Sequence, residues 1–322
     1  MLKNFRFTPV VVSDEVSTAL SEGRGVVALE SSLIAHGLPS PMNLVVAHEC
    51  EAGVREGGSI PATIAVLDGR VLVGLDARDL ERLADPGRRV AKLSSRDLGI
   101  AVAAGVDGAT TVSGSVTVAK SVGIDVMATG GLGGVHRDAN VTYDESADLV
   151  TLTYNSVLVV ASGVKSILDI GATLERLDTL GVAVVGYKTR QFPGFYLRDS
   201  GFELDWSVES ADEAAAAFAR HREFSITSFI VANPIAVADQ LDRHLHDEAL
   251  ESALTKNHRE GVRGKAVSPA LLAEFASHTD GVSVQVNRDL VVANAELGGA
   301  IAASLARSLD RSREHHSRRC SG

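Results

Sequence analysis

The stretch Ala62-Thr63-Ile64-Ala65-Val66-Leu67-Asp68-Gly69-Arg70-Val71-Leu72-Val73-Gly74 holds two β-forming runs on either side of an Asp-Gly pair. Asp-Gly between such runs is a strong local signal for a tight hairpin, so part of the sheet is antiparallel. Outward from it, apolar runs alternate with helical patterns. Val26-Val27-Ala28-Leu29 ends in Glu30, and Asp125–Ala128, Ser156–Ala161, Val182–Val185 and Phe229–Ala232 are further buried-strand candidates. A short helix begins over Asp14–Ala19 and ends near Gly23-Arg24-Gly25. Ser40-Pro41 predicts another helix start, a capping hydroxyl followed by a residue that needs no N–H, and Val46, Cys50 and Val54 then recur on one face. Ile167, Ile170, Leu174 and Leu177 share a helical face, as do Leu290, Leu297, Ile301 and Leu305. Strands alternating with helices predict an α/β fold, a three-layer α/β/α sandwich with a central mixed β-sheet. With no repeat and no linker, residues 1–307 read as one domain. Residues 308–322 read as a disordered polar tail whose paired histidines are solvated.

The chain has 322 residues, 45% hydrophobic and 22% charged, which is ample for a large core. A formal net charge of −10 argues against a polynucleotide-binding surface but leaves room for a local cationic pocket that takes a small anion. The only cysteines, Cys50 and Cys320, are far apart and support neither a disulfide framework nor a zinc site. HExxH and Walker A patterns are absent. The N-terminus lacks a leader-like apolar run, and no uninterrupted apolar segment is long enough to span a bilayer, so a cytoplasmic protein without a membrane partner is expected.

In open α/β sheets, ligands gather at the carboxyl ends of strands. Glu30 ends a strand, where a partly desolvated carboxylate suits proton transfer; a capping or ion-paired glutamate reads as well. Lys165 follows the strand Ser156–Ala161 and the turn Ser162-Gly163-Val164, and it is read as opening the helix that carries Ile167 and Ile170. The positive end of that helix dipole favours the neutral amine, which forms imines with carbonyls; the alternative is an anion-binding or surface lysine. Asp148, in Asp144-Glu145-Ser146-Ala147-Asp148, belongs to a carboxylate cluster that either holds a hard divalent cation with waters or is a solvated cap. Thr129-Gly130-Gly131-Leu132-Gly133-Gly134-Val135-His136 fails as a dinucleotide fingerprint, because His136 stands where the third glycine belongs. It reads as a phosphate or small-ligand loop in which His136 contacts the ligand or is structural. The hydroxyl-rich segment Gly105–Ser115 suits anion contacts or tight packing.

Together these segments resemble the pseudouridine-5′-phosphate glycosidase family, which includes the indigoidine-synthesis A-type proteins. The matching stretches are Ala28–Pro39, Pro61–Ala65, Lys92–Leu98, Ala128–Arg137, Ser146–Leu149, Lys165–Gly171, Val231–Ile235 and Gly264–Pro269, with Asn287 and Asn294. The resemblance extends over roughly residues 12–307, and the number and order of the stretches carry it where GGLGG alone would not. It implies reversible conversion of pseudouridine 5′-phosphate and water to uracil and ribose 5-phosphate, a carbon–oxygen hydro-lyase. A carbon–carbon glycosidic bond offers no heteroatom leaving group to protonate, so two-carboxylate glycosidase chemistry fits poorly. The resemblance implies instead a ring-opened sugar held as an imine at C1′, with uracil leaving as its C5 is protonated. It assigns imine formation to Lys165, acid–base work to Glu30 and a divalent metal, typically Mn²⁺, to Asp148, largely through waters. Lys92 falls to the substrate phosphate, and Thr129, His136, Ser146 and Asn287 to the substrate pocket. It also implies a homotrimer that acts on small molecules. The family's usual Glu-Ser-Thr-Ile is here Glu30-Ser31-Ser32-Leu33, and Ser40 replaces a common aromatic; both read as tuning of the pocket. Two other readings are an aldolase-like imine-forming lyase, which would ignore uracil, and a non-catalytic nucleotide-binding protein.

Overall fold

The computed structural model describes residues 10–262 and 267–320, with side chains as far as Ser308. The motif residues Gly264, Lys265 and Ala266 lie outside the described residues. The strands are β1 (Val11–Val12), β2 (Val26–Glu30), β3 (Ile60–Leu67), β4 (Arg70–Val73), β5 (Ala91–Leu93), β6 (Gly108–Thr110), β7 (Val126–Ala128), β8 (Leu158–Ala161), β9 (Ala183–Tyr187), β10 (Ser207–Val208) and β11 (Phe229–Ala232). They form one sheet in the order β1-β4-β3-β2-β7-β8-β11-β9-β10, with β6 branching from β3 and β5 beside β6. The run from β3 through β2, β7, β8, β11 and β9 to β10 is parallel, whereas β4 and β6 are antiparallel to β3. The sheet is therefore mixed, as the hairpin implied. Leu67 pairs with Arg70 across a two-residue turn, and both turn residues, Asp68 at φ 50° and Gly69 at φ 69°, take the left-handed backbone such a turn needs.

Helices cover both faces. β2 connects to β3 through the helix Met42–Glu56, and β6 to β7 through Val112–Val122. Met42–Glu56 packs with the final helix, whereas Val112–Val122 packs on β2 and β7 with Ala147–Thr151, so the two lie on opposite faces. The final helix, Val282–Cys320, lies over β2, β7 and β8 beside Met42–Glu56 and Ala211–Phe224. Two glycines set its distance from Met42–Glu56. A Cβ on Gly299 would overlap the Val54 carbonyl oxygen, and one on Gly57 the Glu296 carbonyl oxygen, so only glycine permits this backbone approach. Val282–Ser308 is long and apolar enough to cross a membrane, but Leu290, Val291, Ala295, Ile301 and Leu305 are buried in the core, the pattern of a packed core helix.

Three local expectations are corrected. Ser40 does not cap the helix Met42–Glu56; Pro41 occupies the cap position, and the Asn43 N–H instead reaches the Pro39 carbonyl at 3.0 Å. Ile167 is buried but not helical, because the helix Ile170–Thr179 begins only after Asp169, whose carboxylate accepts the Ala172 N–H at 2.9 Å. The last helix continues past residue 307, where the sequence placed the end of the domain. The strands β1, β5, β6 and β10, of two or three residues each, had no readable periodicity.

Candidate active site

The parallel register brings three strand ends together. Leu29 pairs with Ala128, and Ala128 pairs with Val160, so Glu30, Thr129 and the residues after Ala161 emerge side by side. Beyond the strands, two loops continue as a backbone lattice. The Ser162 N–H reaches the Gly130 carbonyl at 2.9 Å, Leu132 N–H the Gly163 carbonyl at 3.0 Å, and Lys165 N–H the Leu132 carbonyl at 3.2 Å. This lattice, not a helix, positions Lys165. The nearest helix begins at Ile170, and the dipole effect dies within one turn, so the helix-dipole argument for this lysine does not apply.

Glu30, Ser32, Lys92, His136, Ser146, Asp148 and Lys165 all line one cavity of about 460 Å³. An adjoining recess of about 50 Å³ shares Glu30, Ser32, Lys92 and Lys165 and adds Asn287, His36 and Phe195. Seven of the eight site residues named from sequence (all but Thr129) thus face one connected space. Thr129 is buried beneath Glu30, where its hydroxyl donates to one carboxylate oxygen while the Ser32 hydroxyl donates to the other. Its hydroxyl is spent on Glu30, so it orients that carboxylate and does not form the cavity wall. Both oxygens of Glu30 are held in a fixed plane, which is what a proton-transfer group needs.

Asp148 stands in the first turn of Ala147–Thr151, only 5% exposed. Its two oxygens accept the Ser113 and Gly133 N–H groups, each at 2.9 Å. The glycine loop is thus not an open phosphate cradle: an amide of that loop binds the protein's own carboxylate. Its glycines answer to packing as well. A Cβ on Gly133 would overlap Ser146 Oγ, and one on Gly131 would lie 2.6 Å from the Phe195 ring. The hydroxyl-rich segment supplies the other amide to Asp148 and places Thr111 and Ser113 on the wall, so it serves packing and site together.

Cations and carboxylates both line the cavity: Lys92, in β5, with Arg96 and Lys165, and Glu30 with Asp144, Glu145 and Asp148. Each Asp148 oxygen keeps a lone pair beyond its amide bond. Among the described residues, no three of His, Cys, Asp and Glu are grouped to chelate a bare ion. The donors present suit a hard divalent cation that keeps waters in its shell. His136 is held below the usual histidine value by burial, against the pull of the Asp144 carboxylate and with Lys92 lowering it further. His36 is lowered by burial and by Lys92, with a backbone hydrogen bond to Ala91 opposing.

Sequence reasoning did not assign site roles to Arg96, His36 or Phe195. Arg96 and His36 lay inside quoted motifs, and Phe195 carries a φ of 64° that nothing in its neighbourhood of the sequence announces.

A family profile described as indigoidine synthase A like protein matches residues 15–304. The chain belongs to the pseudouridine-5′-phosphate glycosidase, or indigoidine synthase A like, family. It is 56% identical to a protein named pseudouridine-5′-phosphate glycosidase from Salinispora tropica, over 91% of this chain and 90% of that one. It is 52% identical to one of the same name from Streptomyces griseus, over 92% of each. Solved structures of the family agree in fold. The prealnumycin C-glycosynthase AlnA, in complex with ribulose 5-phosphate, superposes with a TM-score of 0.86 at 37% identity, over 94% of this chain and 98% of that one. An indigoidine synthase A like protein from Thermotoga maritima superposes with a TM-score of 0.84 at 32% identity, over 92% and 97%.

Proposed function

We propose that this glycosidase-family chain reversibly cleaves the carbon–carbon glycosidic bond of pseudouridine 5′-phosphate, giving uracil and ribose 5-phosphate. The observation that carries the reading is that Lys165 and Glu30, an amine and a doubly hydrogen-bonded carboxylate, line the same cavity and the same recess. The relatives' names and the sugar phosphate in the AlnA structure support it. In cleavage, Lys165 Nζ bonds to C1′ as the C1′–O4′ bond breaks, O4′ takes a proton and the sugar ring opens. The nitrogen lone pair then forms C1′=N as the C1′–C5 bond breaks, and C5 takes its proton from Glu30. Water hydrolyses the imine, releases ribose 5-phosphate and restores the amine. Lys92 receives the phosphate, with Arg96 also on the cavity lining, and His136 and Ser146 face the sugar. Asp148, with Asp144 and Glu145 on the same wall, would hold Mn²⁺ or another divalent cation through waters; the ion supplies charge stabilisation for oxygen atoms of the substrate. A cytoplasmic homotrimer belongs to the same proposal. The test is incubation of the protein with uracil, ribose 5-phosphate and Mn²⁺, with an EDTA control, followed by chromatography and mass. Metal-dependent pseudouridine 5′-phosphate is the expected product. No synthesis, together with no cleavage of added pseudouridine 5′-phosphate, would overturn the reading. Consumption of ribose 5-phosphate without uracil would favour an aldolase-like lyase.

A further inference from the structure

Two buried polar atoms in the recess have no partner among the described residues. One is Oδ1 of Asn287, a residue only 4% exposed; the other is Nε2 of His36. Buried polar atoms in folded proteins are almost always paired, so two orphans in one small recess next to Lys165 mark a place for ligand atoms. The chemistry of the recess suits a flat heterocycle: the Phe195 ring, Leu33 and Leu272 supply apolar wall, and Glu30, Lys92 and Lys165 are shared with the adjoining cavity. An amide such as Asn287 offers an acceptor and a donor side by side, the complement of an imide edge, N3–H beside a carbonyl. His36 remains. Its hydrogen bond with the Ala91 backbone falls to the other ring nitrogen, because Nε2 has no partner among the described residues. The neutral ring then presents Nε2 as an acceptor. A uracil joined to the sugar through carbon has a second ring donor, N1–H, which a uracil joined through N1 lacks.

We propose that His36 accepts this extra ring N–H through Nε2 and so selects a carbon-linked pyrimidine over a nitrogen-linked one. The inference rests on the proposed glycosidase reading. With an N–H donor in place, the recess satisfies its orphan acceptor; with a nitrogen-linked or N1-methylated base, the acceptor stays buried and unpaired. A site built around a substrate donor rejects an analogue lacking it by a large factor.

The test compares kcat/KM for pseudouridine 5′-phosphate and its N1-methyl analogue in the wild-type protein, His36→Ala and His36→Phe. Alanine opens space, and phenylalanine keeps the volume without an acceptor. The wild-type protein should prefer the unmethylated substrate by about 100-fold or more, and both variants should reduce that ratio to within about 5-fold, chiefly by losing activity on the unmethylated substrate. Equal use of the two substrates by the wild-type protein overturns the assignment without any variant having to fold. So does a ratio that stays at the wild-type value in either variant. No wild-type turnover of pseudouridine 5′-phosphate would instead refute the underlying glycosidase reading, and the inference with it.

Discussion

Replacing Asp148 with asparagine tests how much of the cavity wall depends on one carboxylate. Asp148 is 5% exposed and accepts two backbone N–H groups, from Ser113 and Gly133, both at 2.9 Å. In Asp148→Asn the new side chain keeps one acceptor oxygen and turns an NH₂ group toward the other amide. One bond to a charged acceptor, about 1.5–3 kcal/mol, is then lost outright, and the second weakens to a neutral bond of about 1 kcal/mol. The stranded amide adds its own desolvation cost, already largely counted in the first term. The expected destabilisation is about 3 kcal/mol, read as a shift of the urea midpoint at unchanged slope. The loop that carries His136 and the segment that carries Ser113 should loosen together, so hydrogen exchange at the Gly133 and Ser113 amides should accelerate in step. A loss below about 0.5 kcal/mol would show that Asp148 does not tie these segments together and would refute the reasoning.

Other outcomes follow from the same contacts. Thr129→Val removes one of the two hydroxyls that hold Glu30 at nearly constant volume; kcat should fall about 10-fold with KM within about 2-fold, and a selective rise in KM would return Thr129 to the substrate. Lys92→Ala should raise KM for the phosphorylated substrate by about 10–100-fold and leave weak activity on unphosphorylated pseudouridine little changed, in steady-state kinetics. His36, His136 and His246 are each held below the ordinary histidine value, chiefly by burial. The unfolded chain therefore binds more protons as pH falls through the usual histidine range, and folded stability declines toward acid. Glu51 and Asp79, both raised chiefly by burial, act in the opposite sense, their contributions fading as pH rises through their folded values. With three histidines against these two carboxylates, whose ordinary range lies lower, the melting temperature should drop between about pH 7.5 and about pH 5.5; a flat or rising profile would contradict this.

Much of the fold is legible because its signals are local. Asp68-Gly69 announces a hairpin by turn chemistry alone, and the runs at Val26, Leu158 and Phe229 are apolar on both faces because the parallel sheet buries both. Where a signal depends on partners distant in sequence, reading fails. Lys165 looks like a helix start, yet its place is fixed by hydrogen bonds to the Gly130–Leu132 segment more than thirty residues earlier, and the helix waits for Asp169 to cap it. Thr129 looks like a ligand contact because it follows a strand, but the register puts its hydroxyl on Glu30. The glycine loop looks like a phosphate cradle because its composition permits one; the carboxylate it binds, Asp148, comes from another segment. The site residues themselves were found through the family resemblance, which condenses such long-range constraints into motifs. His36 and Arg96 were quoted within those motifs without roles, and only the cavity gives them one.

The central claim is a covalent imine on Lys165. Borohydride added to the wild-type protein with ribose 5-phosphate should fix one reduced pentose phosphate on the peptide that contains Lys165, read by mass, and abolish turnover in proportion to labelling. Lys165→Ala should remain folded by circular dichroism, take up no stoichiometric label and lack turnover. Wild-type rates in Lys165→Ala, or stoichiometric labelling of a different lysine, would contradict the account.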